Sequence, residues 1–186
     1  MGIDLIYYCW IVFILVWIIS AFSVKPAIER ESRLIRLAAL AFLTFTFLLL
    51  AGVIDISVLS KRIFRDSAAI HIAGQAFVLV GLLVAFWARY TLGRNWSGTV
   101  TIKQDHELIK TGPYRFVRHP IYTGLLFMIL GTALASGKIG AFLALVLFSF
   151  AIWRKLRREE ALLAKYFLDD YQAYMSQTKA LIPFLL

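Results

Sequence analysis

Hydrophobic residues arrive along this chain in five runs, separated by polar segments of unequal length. Leu5 to Phe22, Leu37 to Ile54 and Ala68 to Ala88 each approach the roughly 20 residues a helix needs to cross a hydrocarbon core. Two shorter runs follow, Ile121 to Ala135 and Ile139 to Trp153, with only Ser136-Gly137-Lys138 between them. That spacing predicts a tight helical hairpin. Beyond Trp153 the basic run Arg154-Lys155-Leu156-Arg157-Arg158 leads into Glu159-Glu160, and Leu162, Leu163, Tyr166, Phe167 and Tyr174 recur at near-helical spacing. This pattern predicts an amphipathic helix on the membrane interface. The expected fold is all-α: a polytopic helical membrane protein of about five transmembrane helices, with a tight helix 4–5 hairpin and a C-terminal interfacial helix. It forms one membrane domain over 1–186, with spans 1 and 2 in 1–67 and the remainder in 68–186.

Composition agrees with the pattern. Of 186 residues, 61% are hydrophobic and 17% charged, with a mean hydropathy of +0.77; soluble domains run at about 45–50% apolar and about 25% charged. The net charge of +9 raises the question of nucleic acid, but the basic residues flank apolar runs and no RNP-type or zinc-finger pattern is present. Anionic lipid and topology account for them. With five spans, sixteen of the 20 Lys and Arg residues fall on one side. That side is expected to be cytoplasmic, with the N-terminus outside and the C-terminus inside. The first run has no basic residues ahead of it and no small-residue cleavage site, so it reads as a retained span. Cys9, the single cysteine, has no internal disulfide partner, and no Cys/His cluster suggests a metal.

Within spans 3 and 4, Gly74, Gly81, Ala85 and Ala88, and Gly124, Gly131 and Ala135, provide small faces for close helix approach. His71 and Gln75 are read as helix–helix hydrogen-bonding groups.

Chemistry concentrates where the longest internal polar segment meets span 4: Thr111-Gly112-Pro113-Tyr114-Arg115-Phe116-Val117-Arg118-His119-Pro120-Ile121-Tyr122-Thr123-Gly124. Pro120 suits the first helical turn, where its missing N–H is no loss. His119 then stands at the cap, and Tyr122 lies on the same face. Free backbone N–H groups at a helix start favour an anion, and Arg118 and Arg115 strengthen that. The tail brings Glu159 and Glu160, acceptors for hydroxyl or ammonium groups, to the same predicted side. Together these groups can grip a zwitterionic, hydroxyl-rich small molecule. Arg115 and Arg118 also suit lipid phosphate, Tyr114 and Tyr122 an interfacial belt, and Trp96 either an anchor or a pocket wall.

Leu92-Gly93-Arg94-Asn95-Trp96-Ser97, His106-Glu107-Leu108-Ile109, Gly112-Pro113-Tyr114 and Arg118-His119-Pro120-Ile121-Tyr122 are followed by Glu159-Glu160, Phe167, Tyr171, Tyr174 and Ile182-Pro183. In this order they resemble the isoprenylcysteine carboxyl methyltransferase family of integral-membrane enzymes, related to the phospholipid N-methyltransferases. The resemblance runs from about Leu92 to Pro183. It implies an S-adenosyl-L-methionine-dependent methyltransferase, releasing S-adenosyl-L-homocysteine, whose catalytic part is 68–186. It places the cofactor contacts on His106, Glu107, Leu108, Ile109, Tyr114, His119, Pro120, Ile121, Tyr122 and Glu159, with Glu160 beside the last. The family has an arginine facing the acceptor four residues before the first glutamate; here Lys155 stands there, with Arg154 adjacent. Lys155, Arg154 or Arg118 would then orient the acceptor. The family's Phe-Gly in the tail is Phe167-Leu168 here.

The implied acceptor is a lipophilic or lipid-modified small molecule reaching the site from the bilayer, with no metal and no nucleic acid involved. Carboxylate O-methylation leads. Phospholipid N-methyl or thiol S-methyl transfer in the same fold, an NADPH-dependent membrane reductase and a non-catalytic membrane scaffold are the alternatives. The shared spatial expectation is that His119 and the acidic pair converge.

Overall fold

A computed structural model describes residues 2–22, 32–54, 56–96 and 107–182. Six helices carry the described residues: α1 (Gly2–Ala21), α2 (Arg33–Leu50), α3 (Ala68–Leu92), α4 (Pro120–Ser136), α5 (Ile139–Phe167) and α6 (Asp169–Gln177). Short 3-10 turns at Gly93–Asn95 and Gly112–Arg115 end α3 and prepare α4. No strand occurs among the described residues. Arg33–Leu50, Ala68–Asn95 and Ile139–Phe167 are long and apolar enough to cross a membrane, while Leu5–Ala21 and Pro120–Ser136 are apolar but shorter.

Helix boundaries follow local chemistry. Ser32 and Ser67 cap α2 and α3, each accepting from a backbone N–H three residues on. α3 runs past the apolar limit at Ala88 and stops at Gly93, whose positive φ of 53° ends the helix. Gly137, at φ 66°, does the same for α4. The expected hairpin between α4 and α5 is present, and the loop before α3 seals it. Ile63 N donates to Gly137 O at 2.8 Å, Ile139 N to Lys61 O at 2.9 Å, and Gly140 N to Leu59 O at 2.9 Å.

α4 sits at the centre, touching α1, α2, α3 and α5. Its contact with α3 is the most intimate, and glycine is the reason. A Cβ on Gly74 would stand 2.6 Å from the Gly131 carbonyl oxygen, and one on Gly124 2.5 Å from the Gly81 carbonyl oxygen. The pairs run in opposite senses along the two helices, so α3 and α4 pack antiparallel with backbones in contact. α1 joins through Trp10, whose indole N–H donates to Thr132 Oγ1 at 3.0 Å. α2 is buried only at its C-terminal end, at Thr46, Leu49 and Leu50. From Arg33 to Phe45 only Arg36 and Phe42 are even half-buried.

Two expectations are corrected. The chain does not break after Trp153: α5 continues unbroken to Phe167, so the basic run and the acidic pair ride the same helix as the preceding apolar run. Lys, Arg, Glu, Ala and Leu are all good helix formers, and no Gly or Pro interrupts them. Only α6 is a separate tail helix. His71 does not bridge helices either; its Nε2 lies 2.6 Å from Asp66 Oδ1 in the preceding loop, and Arg62 donates to the same oxygen at 2.9 Å.

Candidate active site

The start of α4 is held from outside the helix. The tail returns beside it, with Arg118 N donating to Lys179 O at 2.9 Å and His119 N to Ala180 O at 3.0 Å. Thr123 Oγ1 donates to Leu181 O at 2.7 Å. These bonds fix the backbone on both sides of Pro120. His119 is at the cap position and makes no side-chain capping bond, which leaves its ring for the site.

That ring stacks on Tyr122, with centroids 5.5 Å apart and planes at 17°. His119 Nδ1 lies 3.7 Å from Glu159 Oε2, and Nε2 lies 3.4 Å from Glu160 Oε1. Both separations exceed a good hydrogen bond, and the buried Nε2 has no hydrogen-bond partner. Tyr122 takes Glu159 directly: its hydroxyl lies 2.7 and 2.8 Å from the two carboxylate oxygens. Lys155, one turn before Glu159 on α5, brings Nζ to 3.9 Å from Glu159 Oε1 and to 5.4 Å from the Tyr122 ring centre. Arg118 takes the other acid, with Nε donating to Glu160 Oε1 at 2.7 Å. It also donates from a terminal nitrogen to the carbonyls of Met175 and Thr178. Its side chain, like that of Glu160, is only 11% exposed, so this cation is committed to the protein.

Beneath the cluster lies apolar packing. Ala88, Tyr114 and Ile121 are buried together, with Trp17, Leu92, Trp96, Ile109, Tyr122 and Leu125 against them. The Tyr174 hydroxyl donates to the Tyr114 carbonyl, tying α6 to this layer. Burial raises the Tyr114 phenol far above its ordinary value, and the nearby Tyr174 and Glu159 add to the shift. Tyr114 is therefore a neutral donor at any physiological pH.

The structure brings together Tyr114, Arg118, His119, Pro120, Ile121, Tyr122, Lys155, Glu159 and Glu160, with Ile109 at the edge. Leu108 is half-buried and Glu107 exposed. Arg154 is on the exposed side of α5, over the Phe150 ring at 6.0 Å, away from the carboxylates. His106 lies outside the described residues. Two groups escaped the reading of the sequence. Tyr171 is buried with its hydroxyl unpartnered, although its place in the tail pattern was visible. Arg89, a cation just past the third apolar run, is buried in the last turn of α3; its place one turn before a helix-ending Gly was the signal.

Comparison with known proteins gives a consistent picture. The family model for phospholipid methyltransferase matches residues 69–170. Protein-S-isoprenylcysteine O-methyltransferase from Saccharomyces cerevisiae is 33% identical over 133 residues, 67% of this chain and 54% of that protein. Its Schizosaccharomyces pombe counterpart is 32% identical over 115 residues, 59% of this chain and 48% of that one. The chain thus spans about half the length of the curated relatives it matches. Among solved structures, a eukaryotic intramembrane Ras methyltransferase (isoprenylcysteine carboxyl methyltransferase) aligns with a TM-score of 0.51 at 23% identity, over 85% of this chain and 55% of that one. That likeness shows a shared helical membrane fold.

Proposed function

This chain belongs to the phospholipid methyltransferase family, and from that premise we propose that it transfers a methyl group from S-adenosyl-L-methionine to a lipophilic acceptor at the cytoplasmic face of the membrane. The observation that carries the reading is the meeting of His119 and Tyr122, from the start of α4, with Glu159 and Glu160 of α5. Two half-buried carboxylates, a phenol, an imidazole with a nitrogen that makes no hydrogen bond and the adjoining apolar layer fit a ligand that joins an ammonium, hydroxyls and a flat ring. Glu159 and Tyr122 would hold the polar end, with Tyr114, Ile121 and Ile109 against the ring. When bound, the cofactor supplies a methyl already activated by a sulfonium.

What remains for the protein is positioning and exclusion of water. A carboxylate acceptor arrives ionised and needs orientation alone; Lys155, a cation beside Glu159, is placed to give it. An amine or thiol acceptor has to lose a proton, and His119 can accept it. The relatives are protein-S-isoprenylcysteine O-methyltransferases, which favours a carboxylate. Lateral access from the bilayer is supported by the exposed N-terminal half of α2 and by the exposed Phe150 and Trp153 of α5. The Lys and Arg asymmetry supports five crossings with the N-terminus outside and the C-terminus and site cytoplasmic.

Calorimetry with S-adenosyl-L-homocysteine on the purified full chain tests the reading. Binding is expected, and Glu159→Gln should weaken it at least tenfold, since a hydrogen bond to a charged group contributes about 1.5–3 kcal/mol. Titration with NADPH should give no heat. No S-adenosyl-L-homocysteine binding at millimolar ligand would end the proposal.

A further inference from the structure

Arg89 is the least expected buried group in the molecule. It is 6% exposed at the end of α3, and no carboxylate pairs with it among the described residues. A lone buried cation is costly unless something opposes its charge. Here two helix ends do so. One terminal nitrogen donates to Gly93 O at 2.7 Å, just past the end of α3, and the other to Ser20 O at 2.8 Å in the last turn of α1. Each helix C-terminus carries roughly half a negative charge, so together they balance one guanidinium. The guanidinium carbon lies 4.7 Å from the centre of the Trp96 ring, a cation–π distance. Trp96 also meets Trp17 of α1 edge-on at 6.1 Å and packs on the layer of Ala88, Tyr114 and Ile121 that supports Tyr122.

We propose that Arg89 is a positioning residue for the methyl-transfer site: by clamping the ends of α1 and α3 it holds Trp96 as the wall against which Tyr114, Ile121 and Tyr122 are set. The proposal rests on the function inferred above, and it brings α1, which lies outside the 69–170 match, into the site. Lysine cannot replace arginine, because a single ammonium cannot span both carbonyls and offer a flat face to the indole.

The test uses Arg89→Lys and Trp96→Ala in the full chain, with two readouts. With 5-fluorotryptophan incorporated, Arg89→Lys should move the fluorine resonances of Trp96 and Trp17 while leaving the exposed Trp87 and Trp153 in place. By calorimetry, each variant should bind S-adenosyl-L-homocysteine about tenfold more weakly, equivalent to about 1.4 kcal/mol. The double variant should lose little more than either single one, because both act through one wall. Trp96→Ala removes no buried charge, so it reports even where Arg89→Lys fails to fold. A Trp96 resonance unmoved by Arg89→Lys, variant affinities within twofold of the parent, or additive losses would each overturn the proposal. A parent that binds no S-adenosyl-L-homocysteine would instead sink the functional reading, and the fluorine shift would then decide the Arg89–Trp96 link alone.

Discussion

Leu168, between α5 and α6, is the one non-glycine residue in the described structure with positive φ, at φ 47° and ψ −122°. It stands where the resembled family has glycine. An L-residue in such a region carries strain of about 1–3 kcal/mol. Replacing Leu168 by Gly removes the strain, along with the modest packing of a side chain that is 66% exposed. Replacing it by Ala removes the same packing and keeps the Cβ, so the Gly–Ala difference isolates the backbone. At an ordinary position Gly is the less stable of the two by about 0.4–1 kcal/mol, because its unfolded chain is freer. Here strain relief should reverse the order, leaving Leu168→Gly about 1 kcal/mol above Leu168→Ala. For a chain of this size that is a difference of roughly 2–4 °C in Tm, readable by thermal unfolding in detergent. An alanine variant as stable as the glycine variant, or more so, would refute the argument.

Gly74→Ala, whose new Cβ would sit 2.6 Å from the Gly131 carbonyl oxygen, must push α3 from α4; a loss of about 1–3 kcal/mol is expected, seen as a lower Tm and poorer monodisperse yield. Arg118→Ala leaves the mostly buried Glu160 with only His119 Nε2, at 3.4 Å, to oppose its charge and should cost about 3 kcal/mol, measured the same way. Glu160→Gln should lower Tm while shifting S-adenosyl-L-homocysteine affinity less than Glu159→Gln does. Burial pushes the Tyr174 phenol up to about 12, against the lowering influence of Arg118 and a Thr178 hydrogen bond, and burial raises Tyr171 too. Unfolded tyrosines release their protons near pH 10, so the folded state binds more protons between those values. Stability is then intact below about pH 10 and falls as pH rises towards 12, which paired phenolate absorbance and unfolding measurements would show.

Much of the architecture was legible because it is written in residue type. Apolar runs gave the helices, Gly137 the hairpin, and Pro120 the start of α4. The small residues of spans 3 and 4 marked the face on which α3 and α4 meet. The extent of α5 was not legible, since counting apolar residues stops at the first charge while the helix, made of good formers, does not. The strapping of residues 179–181 onto the start of α4 was hidden for another reason. Those bonds accept through backbone carbonyls, and carbonyls leave no signature in sequence. Arg118 illustrates the consequence. Its type and place suggested a group reaching for an anion from outside, whereas the carbonyls of Met175 and Thr178, together with Glu160, hold it inside.

The same geometry separates two neighbours the sequence presents as equals. Successive residues on a helix point about 100° apart, so Glu159 and Glu160 take different principal partners. Glu160 turns towards the strap and meets a guanidinium, which balances its charge within the protein. Glu159 turns towards Tyr122 and meets a neutral hydroxyl at 2.7 Å, with the ammonium of Lys155 farther off at 3.9 Å. Its charge is thus the less compensated of the two. A cationic or hydroxylated ligand gains more from an under-compensated carboxylate than from one already paired. On the proposed function Glu159 would be the acid for binding and Glu160 the acid for architecture, and His119, between them, is the side chain that faces both.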